Sequence, residues 1–311
     1  MFALKKILVP RDFSECGEDA LRYALDLARR VGAEVHLLFV EVLYADAYAP
    51  ATIQKAPEEM LMDRLLEGVQ GETGAPVPVM RAVKRDIAAA PAIVAYANEH
   101  DIDVIVMGTH GRRGLRRLLM GSAAEEVVRT GPCPVLIARC VAAEAAEPPE
   151  QTALLVPVDF SRHARIALRH AKELAGLFNA RLDLLHIVEE QLHPAFYNTG
   201  VFSIYDMIPN LDEKAEEELE RFFKQTEGPD VAATFHVRHG NAAHEIGDYA
   251  GEQGHAMIVM ATHGLKGMEH FLLGSVAEKV VRLAPCPVFT VKAFGKMLVP
   301  LPALAEEEVV A

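Results

Sequence analysis

Short apolar runs and helical patterns alternate along the whole chain. In the first half, runs rich in Val, Ile and Leu predict strands over Lys6–Val9, Val35–Val40, Val77–Val83, Val104–Met107 and Val135–Ala138. Between the first two, Ala20, Leu21, Ala24, Leu25, Ala28 and Val31 recur at helical spacing, with Ser14 placed to cap the start and Gly32 the end. Strands that are apolar almost throughout, separated by helices, predict a parallel sheet covered on both faces.

The pattern then returns. "KILVPRDFS" (Lys6–Ser14) comes back as "LLVPVDFS" (Leu154–Ser161), "VHLLFVE" (Val35–Glu41) as "LDLLHIVE" (Leu182–Glu189), and "GPCPVLIAR" (Gly131–Arg139) as "APCPVFTVK" (Ala284–Lys292). Pro10 to Pro157 is 147 residues and Gly121 to Gly274 is 153, so the copies differ by six inserted residues. A unit this long, present twice, is a duplicated domain; solenoid repeats run about 20–50 residues. The expected division is a first domain over 1–141, a linker over 142–152, a second domain over 153–293 and a tail over 294–311. "CVAAEAAEPPEQT" carries Pro148 and Pro149 among acidic residues and reads as an exposed linker. Residues 43–58 and 190–212 are least alike between copies and read as variable loops leading into a helix.

Composition narrows the partners. At 311 residues each copy has room for its own core. A net charge of −13 argues against general binding to nucleic acid or an anionic membrane surface. No window holds 18 uninterrupted apolar residues, and the run in "MFALKKILVP" meets Pro10 too early for a signal-peptide core, so the expectation is a cytoplasmic protein without membrane insertion. The four cysteines form no CxxC pair and read as reduced thiols, with Cys133 and Cys286 as small buried residues. Small ligands are the partners to look for.

The stretch that points to one is "GTHGRRGLRRLLMGS" (Gly108–Ser122), repeated as "ATHGLKGMEHFLLGS" (Ala261–Ser275). Each follows a strand and ends at the start of a helical pattern. In open parallel sheets ligands sit beyond the carboxyl ends of the strands. Glycines there let backbone N–H groups approach an anion, and a helix start offers unpaired donors with a favourable dipole. That combination suits phosphate.

"ILVPRDFS", "LLFV", the glycine stretch and "PCPVLI", in this order and twice over, resemble the universal stress protein family, whose ATP-binding signature has this glycine spacing. The resemblance covers Leu4–Arg139 and Ala153–Lys292. It implies an α/β fold: two tandem open five-stranded parallel sheets, Rossmann-like and adenine nucleotide alpha hydrolase-like, with helices on both faces and a pseudo-twofold pairing through the last strands. It also implies ATP, or ADP or AMP, at the strand ends, with Mg or Mn as an accompanying ion left open. Carried over residue by residue, the nucleotide-binding positions of the first copy are Pro10, Asp12, Val40, Met107, Gly108, His110, Gly111, Gly121, Ser122 and Ala123. Those of the second are Pro157, Asp159, Ile187, Met260, His263, Gly264, Gly274, Ser275 and Val276.

Departures from the signature fall in both copies. Ala261 replaces the first glycine, at an expected cost on the order of 1 kcal/mol if that position needs a positive φ. Arg11 stands where Val158 stands, and Arg85 is aligned with Gly240; these arginines either crowd a nucleotide or bind its phosphates. Arg112, Arg113, Arg116 and Arg117 make a basic patch near the first loop, which makes the first copy the stronger expected site.

Bland readings stand beside these. Asp12 and Asp159 are also placed to organise the turn before Ser14 and Ser161, and His110 and His263 to position a loop. His236, His239 and His244 resemble a metal cluster, but a strand ending near Val237 and a helix starting near Ala242 would keep them apart. No Walker-type lysine, acidic pair or water-activating constellation appears, so no catalytic residue is assigned and any ATPase activity is expected to be weak. Two functions follow: a nucleotide-binding stress-response regulator that assembles with an unknown protein partner or as a homodimer through additional surfaces, or a scaffold of the same fold without nucleotide.

Overall fold

The computed structural model describes residues 3–43, 57–69, 75–109, 121–139, 152–189, 210–263 and 273–300. The chain divides into two compact units, Met1–Ala142 together with Phe294–Ala311, and Ala143–Ala293.

In the first unit the described elements are β1 (Lys6–Pro10), α1 (Glu15–Val31), β2 (Glu34–Val42), α2 (Glu58–Arg64), β3 (Val79–Asp86), α3 (Ala89–Glu99), β4 (Val104–Gly108), α4 (Ser122–Thr130) and β5 (Val135–Ala138). Its five strands are parallel in the order β3-β2-β1-β4-β5. The second unit repeats this with β6 (Ala153–Pro157), α5 (Arg162–Phe178), β7 (Arg181–Val188), α6 (Leu211–Gln225), β8 (Ala233–His239), α7 (Ala242–Glu252), β9 (Met257–Ala261), α8 (Ser275–Leu283) and β10 (Val288–Val291), in the order β8-β7-β6-β9-β10. The strands sit within two residues of the sequence expectation at most ends. The central residues of β1, β4, β5, β6, β9 and β10 are buried, as sheets covered on both faces require, while the outer strands β3 and β8 are partly exposed.

Local signals explain the helix ends. The Ser14 hydroxyl accepts from Gly17 N, and Gly32 closes α1 at φ +71 with its N–H on Ala28 O. In the second unit Ser161 caps Ala164 N, and Asn179 takes the left-handed position. Lys172 crosses from α5 to cap the end of α6, donating to Phe223 O at 2.9 Å and Thr226 O at 2.6 Å.

Residues 295–299 are built into the first unit. Gly295 (φ +80) passes so close to Pro132 that a Cβ would lie 2.4 Å from its carbonyl oxygen. Lys296 donates its backbone N–H to that oxygen, and its ammonium reaches Asp101 at 2.8 Å and Asp103 at 2.6 Å. Asp103 is buried, and its other oxygen accepts from Lys5 N and Lys6 N, so this carboxylate is satisfied from both sides. Leu298 and Val299 are buried as well. In the second unit the buried carboxylate is Asp183. Burial by itself would raise its pKa, but hydrogen bonds from His255, Arg181 and Thr234 outweigh that and hold it well below the usual carboxylate range.

Cys133 and Cys286 are buried free thiols, whereas Cys16 is disulfide-bonded, which corrects its reading as a reduced thiol.

Candidate functional site

In each unit the strand order reverses direction between the first and fourth strands, leaving a crevice beyond their carboxyl ends. Three local structures surround it, and the repeated residues build all three.

The first is the turn after the first strand. Phe13 and Phe160 have φ of +60° and +61°, the left-handed region that bulky residues rarely enter. The flanking residues hold it. Asp12 Oδ1 accepts from Ser14 N at 3.1 Å and Ser14 Oγ at 2.6 Å, and Asp159 Oδ1 accepts from Ser161 N at 3.0 Å. Phe13 stacks on Phe39 with centroids 5.3 Å apart, and Phe160 lies 4.7 Å from His186. The two aspartates thus do organise the turn. The place of the phenylalanines in this turn was not anticipated, although the repeated "DFS" was its signal.

The second is the base of the glycine loop. Gly121 N donates to Thr109 O at 2.7 Å, and Gly274 N to Thr262 O at 2.8 Å, pinning each loop where it leaves and rejoins the fold. A Cβ on Gly121 would lie 3.2 Å from Thr109 O, and one on Gly274 3.0 Å from Thr262 O. Both glycines have extended backbone, so close approach and not a positive φ selects them. As N-caps of α4 and α8 they bring no side chain to the first N–H groups, which keeps the donors of Ser122–Ala124 and Ser275–Ala277 uncapped by side chains.

The third is the strand-to-helix contact at Gly108. A Cβ there would stand 2.7 Å from the Cys16 carbonyl oxygen, with the backbone of α1 behind it. Gly108 is not at positive φ, and neither is Ala261. The expected backbone strain at Ala261 is therefore absent. Because that residue carries a real Cβ, the start of α5 must stand further from β9 than α1 stands from β4.

The described residues of the second unit enclose a cavity of about 750 Å³ at this crevice. Of the nine expected positions, Pro157, Asp159, Ile187, Met260, His263, Gly274, Ser275 and Val276 line it. Gly264 lies outside the described residues. Lys279, one turn into α8, and Glu189, whose Oε1 accepts from Ala242 N, also line it and were not anticipated. In the first unit Pro10, Asp12, Val40, Met107, Gly108, Gly121, Ser122 and Ala123 occupy the corresponding strand ends, turn and helix start. His110, Gly111 and the four arginines of the patch lie outside the described residues.

Neither departing arginine behaves as expected. The Arg11 side chain is wholly buried and turns toward α1 and the end of α2, donating to Leu65 O at 3.3 Å and Glu67 O at 3.1 Å and pairing with Glu18. It is committed to packing, so it neither crowds a nucleotide nor faces its phosphates. Arg85 pairs with Glu41 at 2.8 Å on β2. The strand register sets Glu41 opposite Arg85 and Val188 opposite His239, so Arg85 takes the place of His239 and Asp86 that of Gly240. The three histidines have separate partners: His236 Nε2 lies 2.8 Å from Thr234 Oγ1, His239 Nε2 lies 3.0 Å from Asp212, and His244 N is capped by Asn241. Their strand runs two residues beyond Val237. Among the described residues no group of three His, Cys, Asp or Glu is arranged for a metal.

Two parallel α/β units, each with a glycine-bordered helix start facing the strand ends, define a tandem Rossmann-like fold. The profile of the universal stress protein family matches residues 3–139 and 152–292, and the chain belongs to that family. One curated relative, the universal stress protein MJ0531 of Methanocaldococcus jannaschii, is 32% identical over 149 residues, covering 43% of this chain and 82% of its own length. Another, from Methanothermobacter thermautotrophicus, is 35% identical over 147 residues, covering 44% and 97%. Each thus spans one unit. A universal stress protein from Archaeoglobus fulgidus shares the fold across both units, with a TM-score of 0.57 at 21% identity over 92% of this chain and 98% of that one. Among the described residues no helix is long and apolar enough to cross a membrane.

Proposed function

We propose that the chain is a nucleotide-responsive regulator of the stress response, in which ATP or a related adenine nucleotide occupies the strand-end sites and changes what a partner surface presents. The observation that carries this reading is the second-unit cavity, with a carboxylate at one wall and an uncapped helix start at another. Asp159 and Ile187 would hold the nucleoside end. The N–H groups of Ser275 and Val276, with Lys279, would hold phosphate. When bound, the nucleotide supplies a polyanion that ties the turn after β6 to the start of α8. The first-unit site follows on its matching residues, and Mg or Mn would enter as a companion of the phosphates. In this reading the protein works in the cytoplasm, and an unknown protein or a second copy of the chain reads the occupied state.

Denaturing freshly purified protein in acid and weighing what is released tests this. ATP or ADP at up to two per chain is expected, and Gly274→Val should remove the second-unit share by filling the approach to Thr262 O. At 100 times Kd, added nucleotide should stabilise the fold by about 2.7 kcal/mol. No release, and no shift in Tm with millimolar ATP and Mg²⁺, would leave the scaffold reading.

A further inference from the structure

The His263 imidazole lines the second-unit cavity, and that of His163 lies beside it. His163 stands in the first turn of α5, and His263 follows β9 within the Thr-His-Gly sequence. Their ring centroids are 6.1 Å apart, and both are half-buried. The groups that face His163 are His263, the Asp159 carboxylate in the turn after β6, and Arg162 on its own helix. Around the cavity stand Lys279 on α8, Glu189 after β7, and His186, whose Nδ1 donates to Val158 O at 2.8 Å.

Burial first, and then the neighbouring His263, hold the His163 pKa below the ordinary histidine range, against the pull of Asp159. At neutral pH His163 is therefore mainly uncharged. Phosphate charge placed beside Gly274 and Ser275 reverses the balance, because it favours the imidazolium form and turns its N–H groups into charge-assisted donors.

We propose that His163 and His263 form a proton-taking anion contact, so that the second-unit site binds phosphate-bearing ligands more tightly as pH falls. The identity of the ligand rests on the nucleotide reading above; the anion chemistry rests on the residues themselves. Each imidazole takes its proton from solvent, and no covalent bond changes. The first unit lacks half of this device, because Cys16 occupies the position of His163. The two sites would then answer to different conditions, the second being the one coupled to acid.

Each proton taken up on binding changes Kd about tenfold per pH unit between the free and bound pKa values. The full chain would be titrated with ATP and, separately, with inorganic tripolyphosphate at pH 6, 7 and 8, while NMR follows the His163 ring proton. A H163Q/H263Q double variant subtracts the ionisation of the ligand itself. The expected result is binding about tenfold tighter at pH 6 than at pH 8 beyond the dependence left in the double variant, with tripolyphosphate raising the His163 pKa. Equal pH dependence in the two proteins, or an unmoved His163, overturns the proposal while leaving nucleotide binding standing. Tripolyphosphate binding with that pH dependence, but no ATP binding, keeps the anion contact and removes the nucleotide reading. Binding of neither probe overturns both.

Discussion

The two units place the same signature on different backing. In the first, α1 presses on the end of β4 until only glycine fits, and a buried arginine beneath the turn ties α1 to the end of α2. In the second, alanine stands at the strand end and valine beneath the turn, and the His163 ring lies 6.1 Å from that of His263. A motif alone therefore does not say how its site is supported. The spacing of Gly-Ser reports the loop base, which both units share, while the residues that differ decide packing and charge around it.

Exchanging the supports should show how separate they are. Arg11→Val, which installs the second unit's residue, leaves the buried carbonyl of Leu65 without its donor and should destabilise the first unit by about 3 kcal/mol; denaturant unfolding would measure it. A loss below 0.5 kcal/mol would mean that the arginine is no anchor.

Acid should separate the units next. His170, buried in α5 with Nδ1 on Ile166 O, has its pKa pushed down by burial to about 4, and the first-unit residue at this place is Tyr23. The unfolded chain takes up this proton below about pH 6.5. The contribution is thus full above pH 6.5 and falls as pH drops toward 4, by up to about 3 kcal/mol. Tm against pH should flatten over that window in His170→Leu.

Gly108→Ala should cost about 2 kcal/mol by forcing a methyl onto the Cys16 carbonyl. Its mirror, Ala261→Gly, should cost under about 1 kcal/mol through the freer unfolded chain. Equal effects would show that the strand-to-helix distances are alike after all.

Lys296→Met removes the side-chain cation from buried Asp103. Since the lysine is 31% exposed, water softens the loss, to about 1 kcal/mol. It should appear as faster hydrogen exchange at Lys5 and Lys6, whose N–H groups share that carboxylate, and exchange in the second unit should not change.

Much was legible because it is written locally. The duplication, the period of each strand and helix, the Ser14 cap and the Gly32 stop all depend on residues within a turn or a strand of one another, and they appear in the structure where the pattern puts them. So do the residues around the second cavity, because strand ends and helix starts in a parallel sheet converge by topology. Other features depend on contacts between residues far apart in the chain. Arg11 could crowd a nucleotide or bind its phosphates until α1 and the end of α2 were placed around it, and Arg85 shared an alignment with Gly240 until register moved it by one residue. The glycine at Gly108 looked like a demand on φ and is a demand on distance, set by where a helix 92 residues earlier lies. Lys296 gave no sign of its destination beside Asp103, since a tail outside both repeats has no pattern to read. The sequence by itself determined the elements, their doubling and the chemistry available at the strand ends. Tertiary structure decided which side chains back the fold and which face the cavity, because that choice is made by distances across packed surfaces that no short stretch of chain encodes.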